Sequence, residues 1–214
     1  MFSTVAPRYD VLNDLASLGQ DRHWRSCVID ALAPQPGELI LDLAAGTGAS
    51  SVPISRAGAT VISTDLTEAM VDVGHKRHPN HVFVVADAMD LPYADEVFDA
   101  VTISFGLRNV CDPCRVLSEL LRVTRRGGSL VICEFSSPTS LFTRFIHRTW
   151  LKIALPVISR LSTNAPAYSY LSDSIMDWPN QQGLAVMLES TGWANIQWRN
   201  VTGGIVALHR ATRP

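Results

Sequence analysis

Cysteine is scarce in this chain, with four among 214 residues. That is too few for a disulfide-built scaffold and points to a reduced, cytoplasmic protein. Surplus charge is missing as well. Eighteen Lys and Arg against 20 Asp and Glu give a formal charge of −2. A nucleic-acid binder running on a broadly basic surface is thereby excluded. No stretch reaches the ~18–20 uninterrupted apolar residues of a membrane span. The most apolar long segment, 141–161, is broken by Arg144, Arg148, Lys152 and Arg160. The opening MFSTVAPRYD has no basic patch followed by an apolar core, so no secretory signal is expected. Internal repeats and low-complexity tracts are absent too. What is present is 47% hydrophobic and 18% charged residues, the balance of a globular chain. A chain of this length buries about 70% of its unfolded surface without needing metal or disulfide.

The apolar pattern divides the chain. Residues 1–36 read as helical with breaks. Within them Trp24, Cys27, Val28, Ala31 and Leu32 recur at helical spacing, and Pro34, Pro36 and Gly37 end the run. Leu39–Leu43 is a short apolar run of the kind that forms a strand buried on both faces. Helical patterns at 50–57, 67–77 and 116–124 alternate with strand patterns at 60–64, 82–85, 98–104 and 129–135. Such alternation predicts a parallel sheet covered on both sides. The tail departs from it, because strands at 195–200 and 205–209 are separated only by a turn around Gly203-Gly204. They predict an antiparallel C-terminal hairpin. About 60 mostly helical residues, roughly 137–194, form the one sizeable insertion. The whole, 1–214, reads as a single α/β domain.

Chemistry concentrates where these strands end. The first βα turn reads Asp42-Leu43-Ala44-Ala45-Gly46-Thr47-Gly48. Ligands of open α/β sheets bind beyond the carboxyl ends of the strands. Gly46 and Gly48 let the backbone approach a ligand there, and the next helix offers unpaired N–H groups. Asp65 ends the second strand, where a carboxylate can accept hydrogen bonds from ribose hydroxyls. Asp87 and Ala88 follow the third strand, in position to meet an adenine ring. Dinucleotides and S-adenosylmethionine both fit such a site. A dinucleotide asks for G-x-G-x-x-G, and the frame from Gly46 reads G-T-G-A-S-S.

Longer blocks narrow the choice. Tyr9-Asp10-Val11-Leu12-Asn13-Asp14, Ser17-Leu18-Gly19, Trp24, Ser104-Phe105-Gly106-Leu107-Arg108-Asn109-Val110 and Glu134-Phe135-Ser136 resemble the C-methyltransferases of ubiquinone and menaquinone biosynthesis. So do Tyr168–Ile175 and Thr202-Gly203-Gly204-Ile205-Val206-Ala207-Leu208-His209. F-G-L-R-N and T-G-G-I-V-A-L-H are far more specific than the glycine turn. L-D-L-A-A-G-T and C-E-F-S are similar to the actinobacterial-type branch that acts on demethylmenaquinol. The resemblance implies a Rossmann-like class I fold with a mostly parallel seven-stranded sheet. It implies methyl transfer from S-adenosylmethionine to a ring carbon of the quinol, with no metal. It assigns cofactor contacts to Thr47, Asp65, Asp87, Ala88 and Ser104, beside Gly46 and Gly48. Arg108, Asn109 and Tyr9 are expected on the quinol side, with Gly106 leaving room for the ring. The sequence departs from the family in having Asp21 where a histidine is common, and Arg126 where a proline usually precedes Gly127-Gly128.

Other features carry alternatives. Cys111-Asp112-Pro113-Cys114 is a lone CxxC and reads as two loop cysteines. His75, His78 and His81 read as a helix end broken by Pro79 rather than a metal cluster. On a helix over 141–161, Arg144, His147, Arg148 and Lys152 fall on one arc and Phe142, Phe145, Ile146, Trp150 and Ile153 on the other. That is either a lid packed on the sheet or a membrane-surface contact that captures a prenylated quinol at the inner face of the membrane. A homodimer is compatible with this reading, and nucleic acid is not expected. A benzoquinol of the ubiquinone pathway is an alternative acceptor. A nicotinamide-dependent reductase and a non-catalytic subunit of a quinone-synthesis assembly are the rival classes.

Overall fold

A computed structural model of the chain describes residues 17, 19–149 and 172–214. The expected helical content of 1–16 and 150–171 lies outside the described residues. The elements run α1 (Gln20–Leu32), β1 (Leu39–Leu43), α2 (Ser51–Arg56), β2 (Thr60–Asp65), α3 (Glu68–Arg77) and β3 (Val82–Val85). There follow β4 (Phe98–Ser104), α4 (Pro113–Val123), β5 (Thr124–Phe135), α5 (Leu141–Thr149), α6 (Gln181–Ser190), β6 (Ala194–Val201) and β7 (Val206–Thr212).

The seven strands lie in the order β3-β2-β1-β4-β5-β7-β6. All neighbours from β3 to β5 are parallel. The antiparallel β7 inserts between β5 and β6, as the hairpin pattern predicts. Strand alternation sends successive side chains to opposite faces, and each central strand feeds two cores. Leu41, Leu43, Val101, Ile103, Leu130 and Ile132 join Leu117, Leu120, Leu184 and Trp193 on one face. Ile40, Ala100, Val131 and Cys133 join Trp24, Val28, Leu32 and Ile54 on the other. This double burial is why the central parts of β1, β4 and β5 read as largely apolar runs.

Two element starts differ from the expectation. Helix α4 begins at Pro113 rather than 116, because the Asp112 carboxylate caps it by accepting the Arg115 N–H (3.0 Å) and proline occupies the first turn. Strand β5 begins at Thr124 rather than 129. Phe98 pairs with Thr124 and Ala100 with Ser129, so Gly127-Gly128 forms a bulge inside the strand. A Cβ on Gly128 would stand 2.7 Å from the Asp99 carbonyl oxygen, which requires glycine there.

Candidate functional site

The chain order of the sheet reverses between β1 and β4, so the loops after these strands leave toward opposite faces and open a crevice. Both loops carry non-glycine residues in the left-handed region, Ala44 (φ 53°) after β1 and Phe105 (φ 56°) after β4. Such backbone costs about 1–3 kcal/mol per residue and clusters at functional sites. Gly106 is where the loops touch: a Cβ there would meet the Ala44 Cβ at 2.4 Å. The space expected for a substrate ring at Gly106 is therefore filled by Ala44. Gly46 (φ 57°) has open space over its Cα, whereas a Cβ on Gly48 would strike the Phe83 ring at 2.7 Å. Gly46 leaves the backbone approachable, and Gly48 permits packing against β3.

Asp65 stands at the end of β2 with its carboxylate already oriented. Oδ2 accepts the Gly46 N–H (2.9 Å) and Oδ1 accepts the Thr67 N–H (2.8 Å). Each oxygen retains a lone pair for a hydroxyl donor. Thr47 is buried in the same turn. At the end of β3, Asp87 is exposed and accepts the Met89 N–H (2.9 Å), while Ala88 packs against the core. Beneath the turn, buried Asp42 accepts a 2.5 Å hydrogen bond from the Ser51 hydroxyl. Burial pushes its carboxyl up to about 6, against the lowering effects of Ser51 and Arg25; nearby Asp65 raises it further.

Past β4 lies a second set of groups. The Ser104 hydroxyl is buried and has no hydrogen-bond partner, and the same is true of Arg108 Nε and Asn109 Oδ1. Asn109 Nδ2 donates to the Phe105 carbonyl (3.2 Å). Arg108 Nη1 donates to that carbonyl (2.7 Å) and to Glu134 Oε1 (2.7 Å). The guanidinium carbon lies 5.0 Å from the centroid of the Phe135 ring, which packs with Phe105 and Trp24. The Trp24 indole N–H donates to the Thr202 hydroxyl (2.8 Å). That contact ties α1 to the Thr202-Gly203-Gly204 turn. Left-handed Gly203 and Gly204 bring the turn against Thr143 and Thr139. The role of T-G-G is thus to close the rim of the crevice around α1 and the start of α5.

The expected residues on either side of the crevice are gathered at one edge of the sheet, except Tyr9, which lies outside the described residues. Sequence reasoning quoted Glu134 without giving it a role. The signal that could have found it is one acid inside the apolar run Leu130–Phe135. Cys111 and Cys114 are exposed and free. Among the described residues no group of His, Cys, Asp or Glu could hold a metal ion, and no helix is long and apolar enough to cross a membrane. The residues fit S-adenosylmethionine on two counts. The oriented Asp65 carboxylate can accept hydrogen bonds from ribose hydroxyls, and the partnerless Ser104 hydroxyl lies buried at the end of β4.

This fold is that of the class I S-adenosylmethionine-dependent methyltransferases. It superposes with a methyltransferase of that kind from Thermotoga maritima at a TM-score of 0.71 and 17% identity, over 100% of this chain and 98% of that one. A phosphoethanolamine N-methyltransferase of Haemonchus contortus in complex with S-adenosyl-L-methionine gives 0.68 at 15% identity, over 90% and 52%. The chain belongs to the ubiE/COQ5 methyltransferase family, whose model matches residues 1–213. Demethylmenaquinone methyltransferase of Streptomyces avermitilis is 54% identical, over 98% of this chain and 91% of that protein. The enzyme of that name from Paenarthrobacter aurescens is 51% identical, over 100% and 85%.

Proposed function

We propose that the chain methylates a ring carbon of demethylmenaquinol, with S-adenosylmethionine as donor, to give menaquinol. The observation that carries this reading is the trio of buried polar atoms without partners at the end of β4 and just beyond it, at Ser104, Arg108 and Asn109, in a chain about half identical to demethylmenaquinone methyltransferases along nearly its whole length. A buried polar group left unpaired costs about 1–3 kcal/mol, and a polar ligand removes that cost.

When bound, S-adenosylmethionine supplies a methyl group made electrophilic by its sulfonium. Asp65 accepts its ribose hydroxyls, and the open backbone at Gly46, with Thr47, Ala88 and Ser104, lines the rest of the donor site. Asp87 borders the adenine end. The protein's work is then to align donor and acceptor. Arg108 stabilises the quinol oxygen as its hydroxyl proton leaves, which raises electron density at the ring carbon. It is no base, because its pKa exceeds 12. A solvent water or a nearby acceptor takes the proton. Asn109 Oδ1, with its amide nitrogen held by Phe105, orients the quinol hydroxyl, and Tyr9 is assigned to the same oxygen.

The prenyl tail is proposed to reach the site from the inner face of the membrane along 141–161. Leu141 and Phe145, one helical turn apart on α5, are 82% and 70% exposed. The test is to incubate the protein with isotopically labelled S-adenosylmethionine and a short-tailed demethylmenaquinol kept reduced, and to read the product by mass spectrometry. Methyl incorporation on the naphthoquinol ring supports the reading. Incorporation only on a benzoquinol moves the chain to the ubiquinone pathway, and donor binding without turnover on any quinol makes it a non-catalytic subunit.

A further inference from the structure

We infer that Glu134 is a positioning residue for methyl transfer: it fixes which edge of the Arg108 guanidinium is left to bind the acceptor. This rests on the function proposed above. Glu134 is the penultimate residue of β5 and its side chain is 1% exposed; that of Arg108 is 8% exposed. The carboxylate is anchored on two elements. Oε1 accepts the Phe135 N–H of its own strand (2.9 Å), and Oε2 accepts the Arg108 backbone N–H (3.4 Å). Arg108 Nη1 is consumed by Glu134 Oε1 and the Phe105 carbonyl. The Phe135 ring covers one face of the guanidinium. Of the other two nitrogens, Nε is buried and without a partner.

A buried ion pair is weak support for stability, because desolvation offsets most of the attraction. If stability were its role, the pair would use up the donors of the arginine instead of leaving Nε unpaired. Geometry accounts for the arrangement better. With Nη1 clamped and one ring face covered, the guanidinium cannot rotate, and the Nε edge stays presented to an oxygen acceptor. A carboxylate is required, since both of its oxygens meet N–H donors. An amide would turn its own N–H group toward one of them. Asp21 and Arg25 of α1, whose charges also act on the neighbouring Cys133, pair with each other at 2.8 Å.

The experiment compares methyl transfer to a short-tailed demethylmenaquinol, and S-adenosylmethionine binding, in the full chain and in E134Q, R108M and R108M/E134Q. The loss of a charge-assisted hydrogen bond predicts that E134Q lowers kcat by about 10-fold or more, while its Kd for S-adenosylmethionine stays within about 2-fold. Because Glu134 acts through Arg108, the double variant turns over no more slowly than R108M. The double variant leaves no charge buried alone and melts close to the full chain, so it remains informative if E134Q fails to fold. Losses that multiply in the double variant, or an E134Q that retains full kcat, overturn the inference while leaving the proposed function in place. A parent chain that methylates no quinol overturns both.

Discussion

Asp42 makes the stability of this fold depend on pH in a direction opposite to most paired carboxylates. Its carboxyl is held at about 6 when folded, against 3.8 in the unfolded chain, chiefly because burial disfavours the charge. Below pH ~4 Asp42 is protonated in both states and the fold carries no penalty from it. Between pH ~4 and ~6 the unfolded chain releases the proton while the folded chain keeps it, so stability falls as pH rises. Above the folded value the penalty is complete. A gap of about two units corresponds to about 3 kcal/mol. Replacing Asp42 by Asn removes the charge and keeps an acceptor for the Ser51 hydroxyl. The assay is urea unfolding of both proteins from pH 4 to 8, read as the difference between the two curves, in which other titrating groups cancel. That difference should grow by about 2 kcal/mol from pH 4 to 6 in favour of Asp42→Asn, and level off by pH 8 at about 3 kcal/mol in all. For a chain of this size it equals about 6–12 °C in Tm. A difference that stays flat with pH, or one that narrows, refutes the reasoning.

Asp65→Ala should weaken S-adenosylmethionine binding by roughly 10- to 150-fold, the worth of hydrogen bonds to a carboxylate, while the chain stays folded; unchanged affinity by calorimetry removes Asp65 from the site. Cys111→Ser with Cys114→Ser should keep turnover and fold, since both thiols are exposed and free; loss of activity in a folded double variant means the pair has a role. Gly203→Ala places a Cβ 2.8 Å from Thr143 Cγ2 at a left-handed position. It should cost about 1–3 kcal/mol, and chemical denaturation showing no loss would mean the turn does not hold α5.

Some of this architecture was legible in the residue pattern and some was not, for identifiable reasons. Strands β1 to β4 were read almost to the residue, because each writes a short, mostly apolar run; β1 and β4 are buried on both faces, whereas β3 is a half-exposed edge strand. Asp65 was legible for the same reason: a charged residue closing an apolar run marks the strand's carboxyl end. The start of β5 was hidden by Gly127-Gly128, which reads as a turn in sequence and is a bulge in the sheet. The start of α4 was hidden because an Asp cap and a proline in the first turn, not apolar spacing, define it. Gly106 was assigned to the substrate because local sequence says only that a side chain is unwelcome, and its actual neighbour, Ala44, arrives from another strand. Glu134 was quoted without a role because its partner Arg108 lies 26 positions away. A lone acid in an apolar strand has no local pattern that names what neutralises it.

The hydrogen bond from Trp24 to Thr202 spans 178 positions of the chain, and β7 enters the sheet between strands that precede it in sequence. During synthesis at about 5–20 residues per second, α1 waits roughly 10–35 s for the turn it docks against. From the completion of β5 until β7 is made about 70 residues later, roughly 4–14 s, the edge of β5 that will receive β7 has unpaired backbone groups, and Trp24 and Phe135 lack the cover of the closing hairpin. A nascent chain in this state presents an open sheet edge beside aromatic surface, the combination that recruits holding chaperones or a second unfinished copy. The last strand therefore ends the window in which this protein is most exposed to aggregation, at the same moment that it completes the rim of the crevice.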